Sequence, residues 1–174
     1  MASIQKNYIG LLGGSFDPAH EGHLGISKIA IKKLKLKKIY WVITKKNPFK
    51  NETFYTLDER IKGAKKISSA QKKIQVIHID NIVKSSRTID LVNYFIKKKN
   101  IKNIHLIIGT DNLIKFHNWK SWKKIVKLVK LIVFSRRGYD RKGMRSIVVK
   151  NFKNKIIFIK NKPIAISSTE LKKE

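Results

Sequence analysis

The run Gly13-Gly14-Ser15-Phe16-Asp17-Pro18-Ala19-His20-Glu21-Gly22-His23 narrows what this chain can fold into more than any other segment. It closes a short apolar stretch, Tyr8-Ile9-Gly10-Leu11-Leu12, that reads as a buried central strand of a parallel sheet stopping at paired glycines. From Gly22 onward Leu24, Ile26, Ile29, Ala30 and Leu34 recur at helical spacing, so a helix begins near residue 21. Glycines at the strand end let a ligand approach the backbone, and the positive end of the helix faces the same loop. Backbone N–H groups and the dipole at such a terminus attract anions, phosphate above all, the dipole alone contributing about 0.3–1 kcal/mol.

His20 and His23 stand three apart at that terminus, so both imidazoles can serve one anion held over the loop. No nucleophile is placed beside them for either to activate. Donation of hydrogen bonds to phosphoryl oxygens is the chemistry that suits them, and it helps most where charge accumulates during an in-line displacement. Half of a zinc site, or a capping pair with no ligand, are the other readings of these residues. Zinc needs further ligands, but cysteine is absent and His78, His105 and His117 fall on separate predicted elements.

Apolar segments alternate between strand-like and helix-like, which predicts an α/β fold with a largely parallel sheet. Strands are expected at 8–12, 38–43, 74–79, 103–108, 129–134 and 155–159. Helices are expected near 22–34, 56–69, 88–99, 119–126 and 141–150, with a last one opening at Ser167. A chain of 174 residues, 42% of them hydrophobic, can bury one sizeable core, so residues 1–174 are expected to form a single domain. No apolar run reaches transmembrane length and no disulfide framework is possible, which makes the cytoplasm the expected compartment and a membrane partner unexpected.

Lys and Arg number 40 against 11 Asp and Glu, a net charge of +29, which raises nucleic acid as a partner. The lysines, however, are spread over nearly every helix and turn, and they accompany heavy use of isoleucine and asparagine, as an AT-rich genome would impose. Solvated lysine faces explain this better than a dedicated nucleic-acid surface. Such a field still draws small phosphorylated anions inward and would bind RNA weakly at low salt.

The segment His20-Glu21-Gly22-His23 resembles the H-x-G-H loop of the nucleotidyltransferase superfamily, and Ile166-Ser167-Ser168-Thr169-Glu170-Leu171-Lys172 resembles its second nucleotide motif, I-S-S-T-x-[IL]-R. The hydroxyls and backbone donors of Ser167, Ser168 and Thr169 would open a second helix toward phosphate; a plain capping box is the other reading. Lys172 replaces the motif's arginine and lacks its guanidinium fork.

Four middle segments narrow the resemblance to the nicotinate-nucleotide adenylyltransferases. Asn47-Pro48-Phe49-Lys50 is similar to their P-P-H-K or N-P-x-K turn, and Ser86-Arg87-Thr88-Ile89-Asp90-Leu91 to their S-Y-T-x-D-T-L segment. Ile107-Ile108-Gly109-Thr110-Asp111-Asn112-Leu113, followed by Phe116-His117-Asn118-Trp119, resembles I-I-G-x-D-x-L…F-x-x-W. Val133-Phe134-Ser135-Arg136-Arg137-Gly138-Tyr139 approximates V-x-x-R-P-G-Y.

The resemblance spans residues 8 to 172. It implies a Rossmann-like, doubly wound sheet flanked by helices, and adenylyl transfer from ATP to nicotinate mononucleotide with Mg²⁺ bridging the phosphates. It implies His20 and His23 as catalytic residues. ATP would lie on Gly13, Gly14, Ser15, Phe16, His20, Gly22, His23, Ser167, Ser168, Thr169 and Lys172, and the mononucleotide on Lys50, Thr88, Gly109, Asp111, Trp119 and Arg136. No cluster of carboxylates offers a dedicated metal cage.

Read by themselves, these residues leave alternatives open. Trp119 offers a flat face for a pyridine ring, yet a tryptophan starting an amphipathic helix is more often core. Thr88 could offer its N–H and hydroxyl to a carboxylate or be an ordinary N-cap. Asp111 suits ribose hydroxyls, and Lys50 and Arg136 could hold phosphate or lie idle on the surface. Nicotinamide mononucleotide or phosphopantetheine as acceptor, and a basic RNA-binding role on the same scaffold, are the rival functions. Oligomeric state is left open.

Overall fold

The computed structural model describes residues 7–45 and 52–161. In chain order the elements are β1 (Ile9–Gly14), α1 (Glu21–Leu34), β2 (Lys38–Ile43), α2 (Leu57–Ser68), β3 (Ile74–Ile77), α3 (Asp80–Val83), α4 (Thr88–Lys97), β4 (Ile104–Gly109), α5 (Thr110–Lys115), α6 (Trp122–Leu128), β5 (Lys130–Phe134), α7 (Asp140–Met144), α8 (Ile147–Phe152) and β6 (Ile156–Ile159). The six strands form one sheet in the order β3-β2-β1-β4-β5-β6, and every pairing is parallel. This is the doubly wound, Rossmann-like architecture that the alternation and the resemblance anticipate.

Alternation along the strands divides the core between the two faces. Ile104, Leu106 and Ile108 of β4, with Val42, pack against Ile89, Val92 and Phe95 of α4 and Ile125 and Val126 of α6. Ile107, Ile39, Trp41 and Ile43 point the other way, toward Leu24 and Ala30 of α1 and Ala64 of α2. Each fully buried large aliphatic or aromatic side chain contributes about 1.5–3 kcal/mol, so the two-faced β4, buried at all six positions, anchors the sheet. Gly10 lies inside this packing, where a Cβ would come 2.9 Å from Ile39 Cγ1.

Several expected boundaries move. β1 does not stop at the glycine pair but runs through it, because Gly13 and Gly14 pair with Val42 and Ile43. β3 ends at Ile77 rather than 79, and the chain turns into the short α3. The helix expected over 119–126 starts at Trp122: a 3-10 turn over Phe116–Asn118 comes first and leaves Trp119 extended. The helix expected over 141–150 is two, α7 and α8, divided where the Ser146 hydroxyl accepts the Val149 N–H and starts a new helix.

The strand order fixes where a ligand can enter. β1 pairs with β2 along all six residues but with β4 only from Ile9–Ile104 to Leu11–Leu106. Past Leu11 the two central strands part. The opening lies at their carboxyl ends, at the point where the strand order reverses, with Gly13 and Gly14 on one bank and Gly109 on the other.

Candidate active site

Gly13 borders that opening. A Cβ built there meets nothing within 4 Å, so the strand end offers bare backbone to open space. The loop that follows is held from beneath. Phe16, at a φ of 48°, is 2% exposed and stacks under His23 with ring centroids 4.5 Å apart, and its other neighbour is Trp41 at 5.2 Å. The Trp41 indole donates to the Ser27 hydroxyl at 2.8 Å, and that hydroxyl donates to the His23 carbonyl at 2.7 Å. The floor under His23 is thereby fixed by both packing and hydrogen bonds.

The two histidines form a capping box at the start of α1. His20 is the N-cap, and its Nδ1 accepts the Gly22 N–H at 3.0 Å; Nδ1 of His23 accepts the His20 N–H at 3.2 Å. The capping reading of the sequence is therefore realised, with a chemical consequence. A nitrogen that accepts from an amide carries no proton, so each neutral ring holds its proton on Nε2 and is a donor from that side. The ring centroids are 4.0 Å apart. One pair of residues thus caps the helix with one edge and offers two N–H donors from the other.

Asp17 and Arg60 set the loop on its neighbours. Buried Asp17 accepts the N–H groups of Phe54 and Tyr55 at 2.8 and 2.9 Å, which ties the loop to the chain entering α2. Arg60, on α2 and only 2% exposed, donates to the carbonyls of Ser15 (2.7 Å), Thr44 (2.8 Å), Lys45 (3.2 Å) and Tyr55 (3.2 Å). Burial pushes its guanidinium below the ordinary value, while the nearby Asp17 and Asp80 hold it up. The sequence reading passed over Arg60 as one more cation among many.

Across the opening, Gly109 is required by what covers it. A Cβ there would meet Asp111 Oδ1 and come 3.0 Å from Arg136 Nε. Those two side chains form an ion pair at 3.8 Å and are 38% and 47% exposed, and Asp111 Oδ1 is buried without a hydrogen-bond donor. Arg136 is placed by its backbone: its N–H lies 3.0 Å from the Thr110 hydroxyl and 2.9 Å from Asp140 Oδ1, and that hydroxyl donates to the same carboxylate at 2.8 Å. Burial works to raise Asp140, but the hydrogen bonds from Arg136, Thr110 and Ser135, together with the charge of Lys160, leave the carboxyl below its ordinary value. Thr110 and Asp140 were not singled out from the sequence, and α5, which Thr110 opens directly after β4, was missed with them.

Thr88 is the first residue of α4 and not its N-cap, which is Arg87, whose side chain makes no capping bond. Ser86 donates to Asp80 Oδ2 at 2.5 Å, and the Lys45 N–H reaches the same oxygen at 2.7 Å. Trp119 is half-buried against the α4–α6 core, its ring 4.6 Å from Phe116. The fold thus gathers Gly13–His23, Thr88, Gly109, Asp111 and Arg136 at the carboxyl end of the sheet, with Trp119 beyond α5. Lys50, Ser167, Ser168, Thr169 and Lys172, and with them the turn 47–50 and the helix expected at Ser167, lie outside the described residues. Among the described residues no three metal-ligating side chains come together.

A parallel sheet of this order, with a glycine loop feeding a histidine-capped helix at its central opening, defines a nucleotide-binding α/β protein, and the cytidylyltransferase-like family model matches residues 11–174. A protein of Pelagibacter ubique named "Probable nicotinate-nucleotide adenylyltransferase" is 49% identical over 170 residues, 97% of this chain and 94% of its own. One of the same name from Endomicrobium trichonymphae is 30% identical over 171 residues, 95% and 84% of the two chains. The fold matches Plasmodium falciparum nicotinic acid mononucleotide adenylyltransferase complexed with NaAD at a TM-score of 0.73, with 19% identity over 96% of this chain and 83% of that one. The chain belongs to the nicotinate-nucleotide adenylyltransferase family.

Proposed function

We propose that this protein transfers the adenylyl group of ATP to nicotinate mononucleotide, giving nicotinate adenine dinucleotide and pyrophosphate, a step of NAD biosynthesis. The observation that carries the chemistry is the histidine pair, whose amide-bound Nδ1 atoms leave the Nε2 protons as the donors. ATP lies with its triphosphate over bare Gly13 and Gly14 and the loop Ser15, Phe16, Gly22, against the N-terminus of α1. The mononucleotide lies across the opening, with Thr88 at the head of α4 toward its carboxylate, Trp119 against its ring, and Gly109, Asp111 and Arg136 toward its ribose and phosphate. Lys50, Ser167, Ser168, Thr169 and Lys172 complete the two half-sites from their motifs.

The mononucleotide's phosphate oxygen attacks the α-phosphorus of ATP, a new P–O bond forms, and the bond to pyrophosphate breaks in line. His20 and His23 donate to the phosphoryl oxygens as charge builds on them. Neither removes a proton, since the attacking phosphate is already ionised. Asp111, whose Oδ1 faces Arg136 at 3.8 Å and takes no hydrogen bond, suits a ribose hydroxyl.

Both oxygens of Asp17 accept backbone amides, so its carboxylate serves to hold the loop against the chain entering α2. Mg²⁺ would enter with ATP and neutralise charge on its phosphates. Among the described residues no helix is long and apolar enough to cross a membrane.

The test is pyrophosphate release from Mg-ATP with nicotinate mononucleotide, nicotinamide mononucleotide or phosphopantetheine supplied in turn. Release with the nicotinate compound alone is expected. Release with another acceptor in preference would reassign the mononucleotide half-site.

A further inference from the structure

Arg60 is only 2% exposed, yet it bonds to the phosphate loop, to the chain just past β2 and to the chain entering α2. Its Nη1 joins Ser15, in the phosphate loop, to Thr44, just past β2; Thr44 in turn donates through both its N–H and its hydroxyl to the Gly14 carbonyl. Its Nη2 takes the Lys45 carbonyl, and its Nε takes the Tyr55 carbonyl next to the amides that Asp17 holds. The Lys45 N–H continues the path to Asp80 Oδ2, which also receives the Ser86 hydroxyl, two residues before Thr88. An unbroken line of hydrogen bonds therefore runs from Ser15, beside the histidine loop, to Ser86, beside the head of α4.

A buried guanidinium is costly unless its N–H groups are satisfied, and these four bonds tie α2 to two segments far from it in sequence, Ser15 and Thr44–Lys45, as well as to Tyr55 just before it. Its planar fork fixes the directions of those bonds, which a lysine could not do. In-line displacement requires the attacking oxygen and the α-phosphorus to be held at one separation, and a misplacement of about 1 Å costs roughly a hundredfold in rate. We propose that Arg60, continued through Asp80, is a positioning brace that sets the distance between the ATP half-site and the mononucleotide half-site. It acts through the loops and makes no contact with either substrate. This inference rests on the adenylyl-transfer reading above.

The experiment compares wild type, Arg60→Ala, Arg60→Lys and Asp80→Ala at a temperature well below the unfolding of each. Dissociation constants for ATP alone and for nicotinate mononucleotide alone are set beside kcat for pyrophosphate release. The brace predicts kcat lower by roughly a hundredfold in Arg60→Ala and tenfold in Asp80→Ala, with each substrate's separate affinity within about threefold of wild type. Arg60→Lys should stay impaired despite its charge, and millimolar guanidinium should restore part of the Arg60→Ala rate. Should Arg60→Ala fail to fold, Asp80→Ala carries the same comparison. A folded Arg60→Ala with wild-type kcat, or a kcat loss matched by an equal loss of ATP affinity alone, would overturn the brace. An inactive wild type would instead overturn the proposed reaction, and the brace with it.

Discussion

Gly13→Ala separates the folding role of the phosphate loop from its binding role, because the two respond with opposite sign. Gly13 pairs with Val42 inside β1, its backbone lies outside the left-handed region, and a Cβ there meets nothing within 4 Å. An alanine is accommodated without strain and restricts the unfolded chain, a gain of about 0.4–1 kcal/mol. For a domain of this size that raises Tm by roughly 1–4 °C. The same methyl, however, stands where the triphosphate must lie against bare backbone. Pushing the phosphates off by about 1 Å costs roughly a hundredfold in rate, or about 2.7 kcal/mol of transition-state stabilisation. Thermal denaturation followed by circular dichroism, with kcat and KM for ATP from pyrophosphate release, reads both effects on one preparation. A variant as stable as wild type or more so, but with kcat/KM for ATP down a hundredfold, fits the account. Wild-type kcat/KM would mean that the phosphates do not pass over Gly13 and that the loop is misassigned.

Three other substitutions probe separate parts of the molecule. His23→Ala removes the bond to the His20 N–H and the ring on Phe16, so it should cost about 1–3 kcal/mol of stability. It should also lower turnover by roughly a hundred- to a thousandfold, and a folded variant within threefold of wild type would remove His23 from the chemistry. Trp119→Ala should raise KM for the mononucleotide by roughly tenfold or more at nearly unchanged ATP affinity; a change in ATP affinity alone would exchange the two half-sites. His105 is buried, stacks on Tyr8 at 4.6 Å and leaves Nδ1 unbonded; burial, and then Lys130, push its pKa down to about 4 from 6.5. Its folded form stays neutral while the unfolded chain takes up a proton below 6.5. The stability tied to it is therefore present above pH 6.5 and lost as pH falls toward 4, by as much as about 3 kcal/mol. His105→Leu should flatten that part of the urea-stability profile, and an unchanged slope would place the acid sensitivity elsewhere.

The parts of the fold legible in the sequence are those with a local cause. The strand, glycines and histidines around residues 9–23 announce a strand, a turn and a helix start by composition alone, and α1 begins within one residue of its expected place. Features that turn on a single hydrogen bond, or on segments far apart in sequence, were not legible. Ser146 is a serine inside an apparent helix until its hydroxyl is seen to accept the Val149 N–H and divide α7 from α8. α5 follows β4 with no intervening loop or side-chain cap, so the run Ile107–Leu113 read as one motif and hid a helix start. Trp119 reads as the start of an amphipathic helix over 119–126, whereas its N–H bonded to the Phe116 carbonyl closes a 3-10 turn first. Arg60 is the largest omission. Among so many cations nothing local marks it, since three of its four acceptor carbonyls come from two distant segments, Ser15 and Thr44–Lys45.

Everything above turns on one reaction, the joining of an adenylyl group from ATP to the phosphate of nicotinate mononucleotide. It is tested most directly by incubating the purified protein with Mg-ATP and nicotinate mononucleotide and quantifying both products, the dinucleotide by chromatography and pyrophosphate by a coupled assay. Nicotinate adenine dinucleotide and pyrophosphate appearing in equal amounts, and falling together in His23→Ala, is the result the account predicts. ADP and phosphate in their place, or no turnover of ATP by well-folded protein, would contradict it.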